Sequence, residues 1–427
     1  MKIIGIDIGT TSICGVCTDA ADGSIIRSVT LKNDSFIRTE NDFERIQDVG
    51  NIMKSVYVIL DELDAEDASA IGFSGQMHGI LYTDVNGNAV SPLYTWQDSR
   101  ANIGYKDGKS YAEFIGAHAG YGLATDFYNS LNGLVPDKAE YLCTVADYAV
   151  MQICGNKKPV CHITNAASLG CFDVMKNKFT VENSRLPEVV CEFVSCGQYK
   201  GVPVCVALGD NQASFIGSVR DHDDALLNVG TGSQISWLSE TFPASECVEA
   251  RPFDGKRFLA AGCSLCGGRA YAMFEAFCRE IANAAGASVD SFYPMLEKML
   301  ENKTESEILA DCRFCGTRSN PSLRGSYSNV SENSFTPSDF AFATLDGMAQ
   351  ELFDMYSGKS CGLVCSGNGI RKNAALRRIV SEKFGCEIKI PFYEEEAAYG
   401  ASLSAFVAGG ICSDIDAACL KIKYKGE

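Results

Sequence analysis

Residues 206–219 read VALGDNQASFIGSV and set one carboxylate, Asp210, between an apolar run and a row of small residues. The chain has 54 acidic residues, most of which must simply solvate it, so a carboxylate where water is scarce needs a reason. Two reasons suit the residue types. Asp210 caps a helix starting at Asn211, accepting hydrogen bonds from free backbone N–H groups, or it is a catalytic base at the mouth of a cleft, tuned toward basicity by desolvation. A second carboxylate, Asp7, ends the apolar run KIIGIDI just before Gly9, Thr10 and Thr11. An acid there either holds a magnesium ion through water or bonds its own turn backbone. Gly/Thr/Ser turns recur as DIGTT, NVGTGS and CSGNG. In each, glycine lets the backbone approach a ligand, and successive N–H groups with hydroxyls form a concave donor site for phosphate oxygens. One such turn is also an ordinary hairpin connection. Three of them point to a nucleoside triphosphate in a cleft. Rival motifs fail residue by residue. Gly358-Lys359-Ser360 has Phe353 where a P-loop needs its first glycine, and no GxGxxG follows a strand. GFSGQ puts Gln76 where a serine-hydrolase elbow needs glycine.

The elements that must position these groups form two similar units. Residues 2–8, a turn, and residues 12–18 read as strand, tight turn, strand; residues 224–229, the turn from Gly230 to Ser233, and residues 234–238 repeat that pattern. Helical spacing over 41–64 puts Phe43, Ile46, Val49, Ile52, Val56 and Ile59/Leu60 on one face. Residues 70–74 form a buried strand, 75–79 an irregular loop, and 81–85 with Asn86-Gly87-Asn88 a hairpin. Residues 100–160 read as mostly helical, and 202–208 as a buried strand. In the second half, 267–301 and 338–358 are helical by period, 362–366 a strand, 372–384 a helix, 387–390 a strand and 395–409 a small-residue helix. Two domains are expected, 1–217 and 218–427, meeting through ordered contacts with a hinge near 217–224.

Composition narrows the function classes. A net charge of −17 offers nothing to neutralise a nucleic-acid backbone. No apolar stretch approaches the ~20 residues of a transmembrane helix, and MKIIGIDIGTT lacks the long apolar block of a signal peptide. A soluble, cytoplasmic protein is expected. The 20 cysteines include the CxxC pairs Cys14/Cys17, Cys263/Cys266 and Cys312/Cys315, the last two having the form of a four-thiolate metal site. Cys14 and Cys17 lie on a strand, where positions i and i+3 point to opposite faces. The other cysteines are scattered among Val, Ala and Phe as small core hydrophobes are, so reduced structural thiols are expected.

Six stretches, DIGTT, SGQMHG (74–79), TWQDSR (95–100), LGDNQAS (208–214), NVGTGSQIS (228–236) and CSGNGIRKN (365–373), occur in the order found in FGGY carbohydrate kinases, and the chain resembles that family from end to end. Within it, ITNAASLGCFD (163–173), ARPFDGKRFLAAGCSLCGG (250–268) and the pairing of QMHG with WQD are most similar to the sedoheptulokinase branch; xylulokinases share QMHG.

The resemblance implies a pair of actin-like (ribonuclease H-like) α/β domains, with sugar on the first and nucleotide between them. It implies that Asp210 is the general base for the attacking sugar hydroxyl. Gly9, Thr10 and Thr11 match the first phosphate loop and Gly230, Thr231 and Gly232 the second. Gly367, Asn368 and Asn373 match the adenosine motif, although SGNG is a thinner glycine run than family members often carry. Gln76, Met77, His78, Trp96, Asp98 and Asn211 fall on the sugar side, and Asp7 with Asp210 on a magnesium ion. The implied activity is ATP-dependent phosphorylation of a ketose, foremost sedoheptulose at O7, with xylulose or another ketose or polyol as alternatives. Two readings of other classes stay open: an iron–sulfur ATPase activating a dehydratase, raised by the cysteine count, and a non-catalytic sugar sensor. Expected partners are the ketose and ATP, with a homodimer to be tested for, and neither nucleic acid nor membrane.

Overall fold

In the computed structural model, which describes residues 1–243, 245, 247–318, 320–358 and 362–427, the β-branched run at the N-terminus becomes the central strand of a mixed sheet. β1 (Lys2–Ile8) pairs antiparallel with β2 (Ser12–Asp19), which pairs onward with β3 (Ile25–Lys32). Its other edge pairs parallel with β4 (Ala70–Gly75). Beyond β4 lie β5 (Ser195–Tyr199) and β6 (Val202–Cys205), and the short β7 (Leu208–Gly209) pairs with the end of β4, so the order is β5-β6-β4-β1-β2-β3. The second half builds a similar arrangement from β8 (Ala225–Val229), β9 (Ser233–Ser239), β10 (Val248–Pro252), β11 (Phe258–Ser264), β12 (Leu363–Ser366) and β13 (Ile388–Lys389), in the order β10-β11-β9-β8-β12-β13. β8 is antiparallel to β9 and parallel to β12, as β1 is to β2 and β4. The two Gly/Thr turns sit at matching corners, closed by the pairs Ile8↔Ile13 and Val229↔Ser233. The repeat read from one turn in each half extends over five strands, β3-β2-β1-β4-β6 matching β11-β9-β8-β12-β13, while the outer strands β5 and β10 differ.

The helices that cover these sheets are α1 (Val49–Glu62), α2 (Asp210–Ser218), α3 (Gly267–Ala284), α4 (Tyr293–Leu300), α5 (Pro337–Met355), α6 (Ala374–Phe384) and α7 (Glu396–Ala408). α1 buries Ile52, Val56, Ile59 and Leu60 with Ile4, Ile6 and Ile8 of β1. The opposite face of the first sheet is covered by α7, close to the C-terminus. That contact needs glycine. A Cβ at Gly5 would overlap Ala398 O, one at Gly72 would overlap Ala401 O, and one at Gly400 would overlap Ala213 O of α2. α7 therefore ties the last part of the chain to the first sheet, while residues 219–224 lead from α2 into the second. Among the described residues no helix is long and apolar enough to cross a membrane.

Several local expectations change. The helix expected over 41–64 starts at Val49, because Asp48 caps it by accepting from Asn51 N at 2.9 Å. Ile46 and Gln47 instead form a short strand against Leu93–Tyr94. The turn at Asn86-Gly87-Asn88 forms, with Gly87 at φ 86, and Thr83 bridges Ala89 across it while Val90 N donates to Tyr82 O at 2.9 Å; the other edge of Leu81–Thr83 pairs with Tyr141–Cys143. Between 100 and 160 the α-helices are confined to Tyr111–Phe114, Gly122–Leu131 and Val145–Ile153. The run 267–301 breaks between α3 and α4, with Gly286 at φ 88 in the break. Lys359 and Ser360 of the rejected P-loop match, and Cys361, lie outside the described residues.

Cys14 and Cys17 do face opposite sides of β2, one packing with Ala398 and the other within the α1 core. Of the second pair of CxxC motifs, Cys266 and Cys312 pack in the second core, and burial pushes their thiols up to about 11 and about 12. Such thiols stay protonated at neutral pH while no metal is bound.

Candidate active site

The chemistry gathers where parallel strands end. Asp7 lies one residue before the end of β1, Gly75 ends β4 and Gly209 ends β7; Ile8 and Gly209 both pair with Gly75, which brings these ends side by side. Open α/β sheets hold ligands outside such carboxyl edges. α2 begins at Asp210 itself with Gly209 in the cap position, so Asp210 is the first helical residue and the capping alternative for it does not hold. Its carboxyl is pushed up to about 7 by burial and by Asp7, against the pull of Arg251 and of the Asn211 backbone N–H. Asp7 is pushed up to about 6 by burial, although Ser74 Oγ donates to its Oδ1 at 2.8 Å, and Glu395 adds to the rise. Two neighbouring carboxylates that each resist ionisation make a poor resting pair and a good seat for positive charge.

The first turn is braced from below. Gln47 Nε2 donates to Thr10 O at 3.0 Å, Gln76 Nε2 to Gln47 Oε1 at 2.8 Å, and Asn33 Nδ2 to Gly9 O at 2.9 Å. Thr10 Oγ1 donates to Gln76 Oε1 at 3.4 Å and accepts from Trp96 Nε1 at 3.0 Å. Gln76, buried, thus holds the loop, while the ring of Trp96 is 47% exposed. Thr11 is exposed beside it.

Met77 packs under Gly209, where a Cβ would meet its Sδ at 2.8 Å. His78 has a left-handed backbone, φ 73, held by Ser168 Oγ accepting from its N–H at 3.1 Å. Its ring stacks on Tyr121 at 4.4 Å. Nδ1 lies 2.8 Å from Ser168 O, and a carbonyl only accepts, so Nδ1 carries the proton and Nε2 is an acceptor. Burial pushes the ring down to about 4, so it is neutral at pH 7. Asn211 donates from Nδ2 to Gln234 Oε1 at 3.1 Å, across to β9, and its buried Oδ1 has no partner among the described residues.

Asp98 departs from the expected sugar contact. Its oxygens accept from Arg100 Nε at 2.7 Å, Arg100 Nη2 at 3.0 Å and Arg45 N at 3.1 Å, and it is buried. The carboxylate orders the segment behind Trp96 and is spent there.

In the second half, Gly230 N donates to Gly232 O at 2.9 Å, and Gly268 N and Arg269 N donate to Gly230 O and Thr231 O at 3.0 and 3.1 Å. The start of α3 therefore shapes this turn. Asn228 Nδ2 donates to Ser366 Oγ at 2.8 Å, linking it to the third. Gly367, at φ 86, lies so close to Val229 O that a Cβ would sit 2.6 Å from it. Asn373 caps α6 by accepting from Leu376 N at 2.9 Å. Asn368, Gly369, Asn373, Gly268, Tyr271 and Tyr293 line a cavity of about 360 Å³ next to these turns. Its tyrosines, absent from the sequence expectations, supply the flat apolar wall that a nucleobase needs. The signal for them was the helical period after Gly267-Gly268, which reads equally as core.

Tyr121, Glu249 and Arg251 were also missed. Burial would raise the Glu249 carboxyl, but Arg251 and Arg318 beside it hold it down at about 2. A charged Arg251 between Ala250 and Pro252 in an apolar strand was the available sign.

Comparison with known proteins agrees with this geometry. The profile of the N-terminal domain of the FGGY family of carbohydrate kinases matches residues 2–217. Mouse (Mus musculus) sedoheptulokinase is 25% identical over 94% of this chain and 96% of its own. A xylulose kinase of Staphylococcus epidermidis is 23% identical over 94% of this chain and 87% of its own. A ligand-bound xylulose kinase structure from Lactobacillus acidophilus superposes with a TM-score of 0.83 at 18% identity, covering 99% of this chain and 92% of that one. The duplicated sheets are therefore the two α/β domains of the actin-like fold, and the chain belongs to the FGGY family of carbohydrate kinases.

Proposed function

We propose that this ATP-dependent carbohydrate kinase phosphorylates a ketose at its terminal hydroxyl, sedoheptulose to sedoheptulose 7-phosphate, in the cytoplasm. The observation that carries the chemistry is Asp210, with its carboxyl at about 7, at the strand edge beside Asp7 and next to Asn211, which reaches Gln234 of β9. A carboxylate of that basicity takes the proton of the attacking hydroxyl, that oxygen bonds to the γ-phosphorus, and the bond to the β–γ bridging oxygen breaks to release ADP. The turns at Thr10 and Thr231 offer N–H and hydroxyl groups to the phosphates, and the Tyr271 cavity takes the adenosine. Asp7 and Asp210 fit a hard divalent cation, since both present carboxylate oxygens and Asp7 raises the cost of ionising Asp210. Magnesium, when bound there, supplies charge neutralisation for the phosphate oxygens. His78 Nε2 and Asn211 Oδ1 accept from sugar hydroxyls, with Met77 and Trp96 as apolar walls.

Sedoheptulose is favoured because the similarity to mouse sedoheptulokinase runs almost end to end in both chains. The test is a coupled ADP assay across five- to seven-carbon ketoses and polyols. The highest kcat/KM with sedoheptulose is the expected result; a clear preference for xylulose or glycerol would overturn the choice of sugar.

A further inference from the structure

A cavity of about 200 Å³ lies past Met77 and His78, walled on one side by Tyr121 and Ser168 of the first half and on the other by Glu249 and Arg251 of β10. Gln212, two residues beyond the base, also lines it. Its Nε2 donates to Pro252 O at 3.1 Å, and its buried Oε1 has no partner among the described residues. Arg251, 9% exposed, donates from Nη2 to Glu249 Oε2 at 2.7 Å and lines the same cavity. Arg318 donates to the same Glu249 oxygen at 3.1 Å, and Glu249 reaches the Tyr121 hydroxyl of the opposite half.

The buried amide oxygen of Gln212, which has no partner among the described residues, borders the same cavity as the Arg251 guanidinium and the acceptor Nε2 of His78, and a buried polar atom normally finds a partner. Together they present donors and acceptors of the kind that successive hydroxyl and carbonyl oxygens of an extended sugar would satisfy. The wall that carries Arg251 comes from the second domain, so a sugar reaching it would be held by both halves.

We infer that Arg251, supported by Gln212, is a specificity-determining residue that hydrogen-bonds the end of the ketose remote from the phosphorylated hydroxyl and so selects long acceptors. The inference rests on the kinase assignment above. With the reacting hydroxyl at Asp210, the C1–C3 end of an open-chain six- or seven-carbon ketose extends past His78 into this cavity. Short polyols leave it to water.

The test is steady-state kinetics of the whole protein and of its Arg251→Gln, Arg251→Lys and Gln212→Met variants. Acceptors are glycerol, xylulose and sedoheptulose at saturating Mg·ATP. A hydrogen bond to a charged donor is worth roughly a ten- to hundredfold change in binding. Arg251→Gln should therefore raise the KM for sedoheptulose by roughly that factor, with little change for glycerol and none in the KM for ATP. Arg251→Lys should recover part of the loss. Gln212→Met leaves the Glu249 ion pairs intact and should show the same length-dependent rise, which guards against a folding defect in the arginine variants. An equal KM rise for all acceptors, or a loss in kcat alone, would overturn the inference while wild-type ketose turnover keeps the kinase assignment. A wild-type protein that turns over no ketose would overturn both.

Discussion

Replacing Asp210 by Asn should separate catalysis from stability in opposite directions. The amide keeps the size of the carboxylate but cannot take the hydroxyl proton, so kcat should fall by roughly two to four orders of magnitude, the usual worth of a general base. The folded protein should become more stable. The Asp210 carboxyl rises from 3.8 to about 7, and one pKa unit corresponds to about 1.4 kcal/mol. A raised acid favours the folded state fully below its unfolded pKa and loses that favour as pH climbs through the folded pKa. Burying the charge therefore costs about 2 kcal/mol at about pH 5 and about 4 kcal/mol at about pH 8, where the loss is complete. Asn carries no such cost. Urea denaturation of wild type and variant at both pH values, with the ADP assay alongside, measures both effects. The gain should grow with pH. Near-normal turnover in the variant, or a stability difference that is absent or flat with pH, would refute the placement of a strained base at the cleft.

The other expectations are more local. In wild type, kcat/KM should fall as pH drops through about 7, because the ionised Asp210 is the active form; a flat profile between about 5.5 and 8 would contradict it. Asp7→Ala should weaken use of Mg·ATP by more than tenfold and leave ketose affinity by calorimetry nearly intact; selective loss of sugar binding would move Asp7 to the wrong ligand. If the domains close over both ligands, Trp96, 47% exposed, should gain protection from acrylamide quenching, with Trp237, 6% exposed, as control. Unchanged quenching and an unchanged radius of gyration would exclude closure. Gly400→Val should destabilise by about 3 kcal/mol through overlap of α7 with α2, and a thermal midpoint equal to wild type would show that the helices do not touch as described.

The parts legible in the sequence were those with local signals. Asp7 and Asp210 stood out because a carboxylate breaks an apolar run, and the three turns because glycine and threonine follow strands. What the sequence could not show was which polar groups are already spent. Asp98 and Arg100 lie two apart in TWQDSR, yet only the fold turns them onto each other and away from a ligand. Gln76 sits beside Met77 and His78 in one motif, but its amide is occupied by Gln47 and Thr10. Helical spacing over 41–64 misled because Ile46 is apolar for its contact with the Leu93–Tyr94 strand rather than for a helix face. Tyr121 and Glu249 meet across the two halves, a contact between segments more than a hundred residues apart that no periodicity reports. α7 was legible as a helix of small residues, but that it closes the first sheet depends on Gly5 and Gly72, whose missing side chains were unremarkable in a strand.

The central claim is that this chain moves the γ-phosphoryl group of ATP to the terminal hydroxyl of a ketose with Asp210 as base. Incubating the purified protein with sedoheptulose and Mg·ATP, and following the products by phosphorus NMR and mass spectrometry, tests it most directly. The expected result is one ADP and one sedoheptulose 7-phosphate per ATP consumed, with Asp210→Asn giving neither at a comparable rate. ADP and inorganic phosphate without a sugar phosphate, or phosphate on an internal hydroxyl, would contradict it.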